Sequence, residues 1–203
     1  MNICSARVLP SVFCFLVVIS LLSACGNAED SSYIPKPKGY NRIDLPAQTY
    51  QTLTEQHPYS FEYSTSAVLL PDTFAMAEKH WIFIYYPRFN ANIQLTYKEV
   101  KGSPVRLQGF IDDAYKLAGK HQIRASALQE QTIKTESGQT ATLFRLQGDV
   151  PSPLQFYTTD STRHYLRGAI YFPTATKNDS LAPVIDFIQR DAIRLLNTLK
   201  WKK

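Results

Sequence analysis

An apolar run that closes on Leu22-Ser23-Ala24-Cys25 decides which part of this chain has to fold, and with which side chains. Arg7 gives the run a positive start, Val12–Leu22 is apolar except for Ser20, and Ser23 and Ala24 present a narrow backbone just ahead of a thiol. As a helix this run would span roughly 16 Å, against about 30 Å for a hydrocarbon core. It is too short to anchor by itself and reads as the apolar core of an export signal. The closing motif reads as a lipobox, which predicts cleavage before Cys25 and diacylglycerol on its sulfur, with fatty chains such as palmitate. Ordinary signal-peptidase cleavage nearby, leaving a soluble exported protein, is the rival reading. Each buried methylene adds about 0.8 kcal/mol, so two or three long chains hold far more firmly than one.

The other two cysteines, Cys4 and Cys14, leave with the leader. The body then has no disulfide, no thiol nucleophile and no thiolate metal site, so its stability must come from an apolar core. Residues 25–203 are enough for one domain of ordinary size. Loss of Arg7 leaves one fewer than the 22 basic residues, against 17 acidic. That surplus is mild and scattered, which argues against nucleic-acid binding. Lys200, Lys202 and Lys203 form its one notable cluster, read as cations that complement a helix C-terminus.

The chain divides into a leader at residues 1–24, a lipidated Cys25 with a polar, proline-rich tether through residue 39, and a globular domain at residues 40–203. Alternate prolines in Pro35-Lys36-Pro37-Lys38-Gly39 favour an extended spacer. Gly26 rather than Asp after Cys25 points to the outer membrane, with the leaflet open. Glu29-Asp30 reads either as a surface-export tag or as a charged, solvated linker.

Two helices are predicted within the domain. Ser103 caps the first, Pro104 opens it, and Leu107, Phe110, Ile111, Ala114, Leu117 and Ala118 form one apolar face before Gly119 ends it. The second starts near Asp179 or Ser180, carries Pro183 in its first turn, and places Val184, Ile185, Ile188, Ala192, Leu195, Leu196 and Leu199 on one side. Strand signals run from Trp81 to Tyr86, where both alternating sets are apolar and want cover on both faces. They continue at Ile93, Leu95 and Tyr97, which alternate with Gln94, Thr96 and Lys98. These two runs are expected to pair. A second group comprises a strand ending near Thr135, a turn at Glu136–Gln139, and strands at Thr140–Gln147, Leu154–Thr158 and His164–Phe172, joined as antiparallel neighbours. Segregated strands and helices predict an α+β domain, an antiparallel sheet with two main helices packed on it, loosely resembling the Mog1/PsbP-like arrangement.

Asp160, Ser161 and His164 carry the residue types of a hydrolase triad. A triad is assembled by the fold, and no glycine-flanked serine turn or oxyanion element accompanies this one. Asp160-Ser161-Thr162 reads better as a hairpin turn whose side chains bond local amides. His57 and His80 stand singly beside aromatics and His121 follows the first helix, so no metal site and no cofactor is expected. The turn after the first apolar strand offers a surface platform for a glycan or a protein partner, with Tyr86, Arg88, Phe89 and Asn90 as its contacts and Tyr85 in the core. Asn90 suits a left-handed turn there, and Arg167 suits a pairing with a carboxylate across the sheet.

Five ordered segments resemble one known family. They are Pro35-Lys36-Pro37-Lys38-Gly39-Tyr40-Asn41-Arg42-Ile43-Asp44-Leu45-Pro46, Pro58-Tyr59-Ser60-Phe61-Glu62, Tyr86-Pro87-Arg88-Phe89-Asn90-Ala91-Asn92-Ile93, the run from Ser152 to Thr162, and Leu166-Arg167-Gly168-Ala169-Ile170-Tyr171-Phe172. Together they look like the gliding-motility lipoprotein GldD family. The resemblance implies a cell-envelope lipoprotein needed for surface gliding and linked through that machinery to type IX secretion. It implies no catalytic residue. The expectation is a non-enzymatic accessory lipoprotein that binds other envelope proteins and, through acylated Cys25, membrane lipid. A glycan- or peptidoglycan-binding module is the second reading, and an envelope hydrolase using Ser161, His164 and Asp160 the third.

Overall fold

Seven strands hydrogen-bond side by side into one antiparallel sheet. The computed structural model describes residues 42–121, 124–173 and 178–202, so the leader, Cys25 and the tether lie outside the described residues. The strands are β4 (Val68–Pro71), β5 (Ile82–Tyr86), β6 (Ala91–Glu99), β7 (Ala127–Lys134), β8 (Thr140–Gln147), β9 (Leu154–Thr159) and β10 (His164–Tyr171), in the spatial order β4-β5-β6-β10-β9-β8-β7. Three short strands precede them, β1 (Tyr50–Thr52), β2 (Tyr59–Ser60) and β3 (Glu62–Ser64), with β1 paired to β3. Between β6 and β7 the chain forms α1 (Pro104–His121), and after β10 it forms α2 (Asn178–Thr198) and β11 (Lys200–Trp201), which pairs with β2. This is an α+β domain, as the segregated pattern predicts.

The two predicted groups of strands meet at the β6–β10 pair, where His164 lies opposite Glu99 and Tyr171 opposite Asn92. α1 carries the chain from β6 to the far edge, so that β7, β8, β9 and β10 then return as consecutive antiparallel neighbours.

Period-two alternation sorts the side chains to the two faces. Ile84, Ile93, Leu95, Leu143, Phe156, Leu166 and Ile170 lie in the main core, together with Val184, Ile185, Phe187, Ile188, Ala192, Leu195 and Leu196 of α2. The apolar stripe predicted for this helix is buried throughout. The helix begins at Asn178, which places Pro183 in its second turn rather than its first. Gly168 sits opposite Phe156 in the ladder, and an added Cβ there would come within 2.1 Å of the Phe156 ring. Only glycine leaves room for that ring against the centre of the sheet.

The second face is covered unevenly. α1 packs on β9 and β10, where Ala118 joins Phe144, Leu146 and Val150 in a smaller cluster. Ser103 caps the helix, accepting from the Arg106 amide at 3.3 Å, and the helix runs past Gly119 to His121. Cover on both faces of β5 was expected, but Phe83 and Tyr85 are only half-buried because α1 does not extend over that end of the sheet. Beyond them Val68, Leu70, Phe74 and Met76 are exposed on β4 and the loop that follows it.

Candidate functional site

The β5–β6 turn holds the four residues predicted as partner contacts. Phe89 and Asn90 amides bond back to the Tyr86 and Pro87 carbonyls, and Asn90 takes the left-handed conformation at φ 47°, as its residue type suggests. The parity of the strand is opposite to the expected one. Tyr86 shares the face of Ile82 and Ile84 and is 1% exposed, whereas Tyr85 is half-buried and its hydroxyl donates to Asn90 Oδ1 at 3.2 Å. Apolar residues at every position of Trp81–Tyr86 gave no alternation from which to choose. Phe89 packs edge-on against Phe187 of α2 at 5.8 Å, so among the four residues Arg88 and Asn90 are the exposed ones.

Tyr86 instead belongs to a buried carboxylate centre. Asp191 of α2, 2% exposed, accepts from the hydroxyls of Tyr86 at 3.0 Å and Tyr50 at 3.1 Å and from the Gln48 amide at 3.4 Å. Burial pushes its pKa up, and hydrogen bonds from Tyr86, Tyr50, Gln48 and Ser64 restrain that rise. Burial and the neighbouring carboxylate push the Tyr50 hydroxyl up to about 12. An acidic residue inside the Ile188–Ala192–Leu195 stripe is the local sequence signal for a buried carboxylate, though not for its distant partners.

At the other end of the sheet, Asp160, Ser161 and His164 form the β9–β10 hairpin. Asp160 Oδ1 accepts from the backbone amides of Thr162, Arg163 and His164 at 2.8–3.0 Å. Burial opposes ionisation, yet these amides hold the carboxylate below its ordinary range. Ser161 sits at φ 65°, with its amide on Thr159 Oγ1. The His164 ring turns to Tyr97, whose hydroxyl meets Nδ1 at 2.8 Å, and stacks on Trp201 at 5.1 Å. The side-chain hydrogen bonds of the hairpin are those of a turn, as read from the sequence.

His57 and His80 are not solitary. Their Nδ1 atoms lie 3.2 Å apart, and His57 Nε2 meets Glu55 at 3.0 Å. The Tyr59 hydroxyl donates to the His80 carbonyl, and the His80 ring meets Tyr97 edge-on at 6.0 Å. Burial lowers the pKa of both His80 and His164, which favours neutral rings, and pushes the Tyr97 hydroxyl up to about 12. Residues 23 apart in sequence gave no spacing that could reveal the pair. Among the described residues no three metal-ligating side chains gather, and no helix is long and apolar enough to cross a membrane.

Arg167 reaches across the sheet to an amide rather than to a carboxylate, donating from Nη2 to Gln155 Oε1. Both residues are buried on the face opposite α2, where Gln155 supplies the acceptor without adding a charge.

Comparison with curated protein sequences finds no match. Among solved structures, the chain is similar to cyanobacterial PsbP (CyanoP) from Synechocystis sp. PCC 6803, at 12% identity and a TM-score of 0.45 over 79% of this chain and 97% of that one. A family model described as gliding motility lipoprotein GldD matches residues 30–201, from the tether to the last strand. The chain therefore belongs to the gliding motility lipoprotein family GldD.

Proposed function

We propose that this member of the GldD family is a non-enzymatic accessory lipoprotein of the gliding apparatus, held at the envelope by acylated Cys25 and acting through contacts with other proteins of that machinery. The observation that carries the reading is the family match over residues 30–201, which takes in the whole folded domain. The geometry supports it in two ways. The residue types that suggested hydrolysis serve the fold, with Asp160 closing a hairpin and His164 bonded to Tyr97. Val68, Leu70, Phe74 and Met76 put large apolar side chains into solvent at one edge of the sheet, a composition that suits protein contact. The link to type IX secretion and the outer-membrane address belong to this proposal.

Photo-crosslinking from Leu70 and Met76 in intact envelopes tests it. An adduct with a motility or secretion component is the expected result. Retention on purified cell-wall glycan with no protein adduct would instead favour the glycan reading. Loss of gliding in Ser161→Ala with the fold intact would restore the hydrolase. Mass spectrometry of the purified protein should show a diacylglycerol-modified Cys25 at its amino terminus, and an unmodified terminus would remove the anchor.

A further inference from the structure

Beside His164 the fold builds a basic cleft of about 300 Å³ for which the motility reading has no use. Lys101, Arg163 and Lys202 line it from three separate segments, with Glu99 as the carboxylate among its lining residues. Glu99 lies 3.7 Å from Lys101 Nζ, while among the described residues neither Arg163 nor Lys202 stands in an ion pair. Backbone hydrogen bonds hold together the segments that carry the three cations. The Val100 and Gly102 amides bond the Arg163 and Thr162 carbonyls at 2.9 and 2.7 Å, and the Lys202 amide bonds the Pro58 carbonyl at 2.8 Å. Lys101 is held at φ 57°, a left-handed conformation that a residue with a side chain adopts only where its surroundings impose it.

The second observation is His164 itself. It lines the same cleft, is 6% exposed, and its Nε2 has no hydrogen-bond partner. In the tautomer in which the Tyr97 hydroxyl donates to Nδ1, the ring's own hydrogen rests on Nε2 as a buried donor without an acceptor. Buried donors are normally paired, and an anionic oxygen would complete this one.

We propose that this cleft binds a phosphate-bearing anion, whose oxygens accept from His164 Nε2 and from the Arg163 and Lys202 side chains. Donors from the β9–β10 hairpin and from the C-terminal segment, converging from different directions, suit a tetrahedral oxyanion better than a planar carboxylate, and the volume leaves room for a small group attached to the phosphorus. The phosphate can come from a lipid headgroup or from a free solute. Nothing in this assignment depends on the identity of a motility partner.

The acylated full-length protein in detergent micelles, labelled with nitrogen-15, is titrated with inorganic phosphate and with glycerol phosphate. In parallel it is placed in nanodiscs of phosphatidylcholine with and without phosphatidylglycerol. The readout is the His164 Nε2 resonance. A saturable shift with either soluble phosphate assigns the free anion, and a shift with phosphatidylglycerol alone assigns the headgroup; both support the site. Arg163→Gln and Lys202→Gln, on exposed side chains that leave the fold intact, should each weaken the response roughly tenfold. No shift with any of these probes, or an undiminished shift in both variants, would overturn the proposal.

Discussion

Two carboxylates show how the same side chain is tuned in opposite directions by its surroundings. Asp160 gains three backbone donors on folding and is held below its ordinary value, so its contribution to stability is present at neutral pH and is lost as pH falls below about 4. Asp160→Ala leaves those amides without their acceptor and should cost about 2 kcal/mol in urea unfolding at neutral pH. Asp191 has the reverse sign. Its folded pKa lies above the ordinary 3.8, so the native state binds more protons than the unfolded chain just above that pH, and stability falls as pH rises through that window. Asp191→Asn keeps one acceptor oxygen for Tyr86 or Tyr50, sets its amide NH2 against the other hydroxyl, and should remove that fall because it does not titrate. Urea unfolding of both proteins between about pH 4 and pH 7 checks it, and parallel pH profiles would contradict the assignment. Gly168 makes the steric case. Gly168→Ala drives a methyl group into the Phe156 ring and should destabilise by roughly 1–3 kcal/mol, measured by thermal unfolding.

At the scale of elements, the C-terminal strand is a latch whose removal is informative. β11 pairs with β2 through Trp201 and Tyr59, and Trp201 also stacks on His164. A chain ending after Leu199 should keep α2 but lose order at β2 and around the His57–His80 pair, which hydrogen exchange of those amides would report. The sequence made both helices and six strands of the main sheet legible, because each carries a local period or an unbroken apolar run, bounded by its own caps or turns: Ser103 before Pro104, Glu136–Gln139 between β7 and β8, and Asp160 between β9 and β10. What it could not show is what depends on partners distant in the chain. The β6–β10 junction, β2 with β11, the His57–His80 pair and the Asp191 centre are each closed by residues far apart, and no local spacing encodes them. Tyr85 and Tyr86 were inverted for the same reason, since an unbroken apolar strand takes its parity from α2 and not from itself.

For the whole molecule, the decisive asymmetry is between the two faces of the sheet. The α2 side holds most of the large buried side chains, while the α1 side holds a smaller apolar cluster of Ala118, Phe144, Leu146 and Val150, with Tyr165, Gln155 and Arg167 buried beside it. β7 is exposed along almost its full length and has a neighbour on one side only. α1 and β7 are also consecutive in sequence, so the crossover can lift away as a unit without breaking any pairing among β5, β6, β10 and β9. Local opening requires only the contacts that are actually broken, here the β7–β8 ladder and the packing of α1 on β9 and β10, while the α2 core stays intact. Native-state hydrogen exchange should therefore show α1 and β7 opening together at a free energy roughly a few kcal/mol below global unfolding, while amides of β6 and β10, bonded on both sides, exchange only when the domain unfolds. Phe144→Ala should lower the first opening energy nearly as much as the second, because its contacts with α1 are lost in both events. Equal protection across both faces would show that the α1 layer is as firmly held as the α2 core, against the distribution of buried side chains.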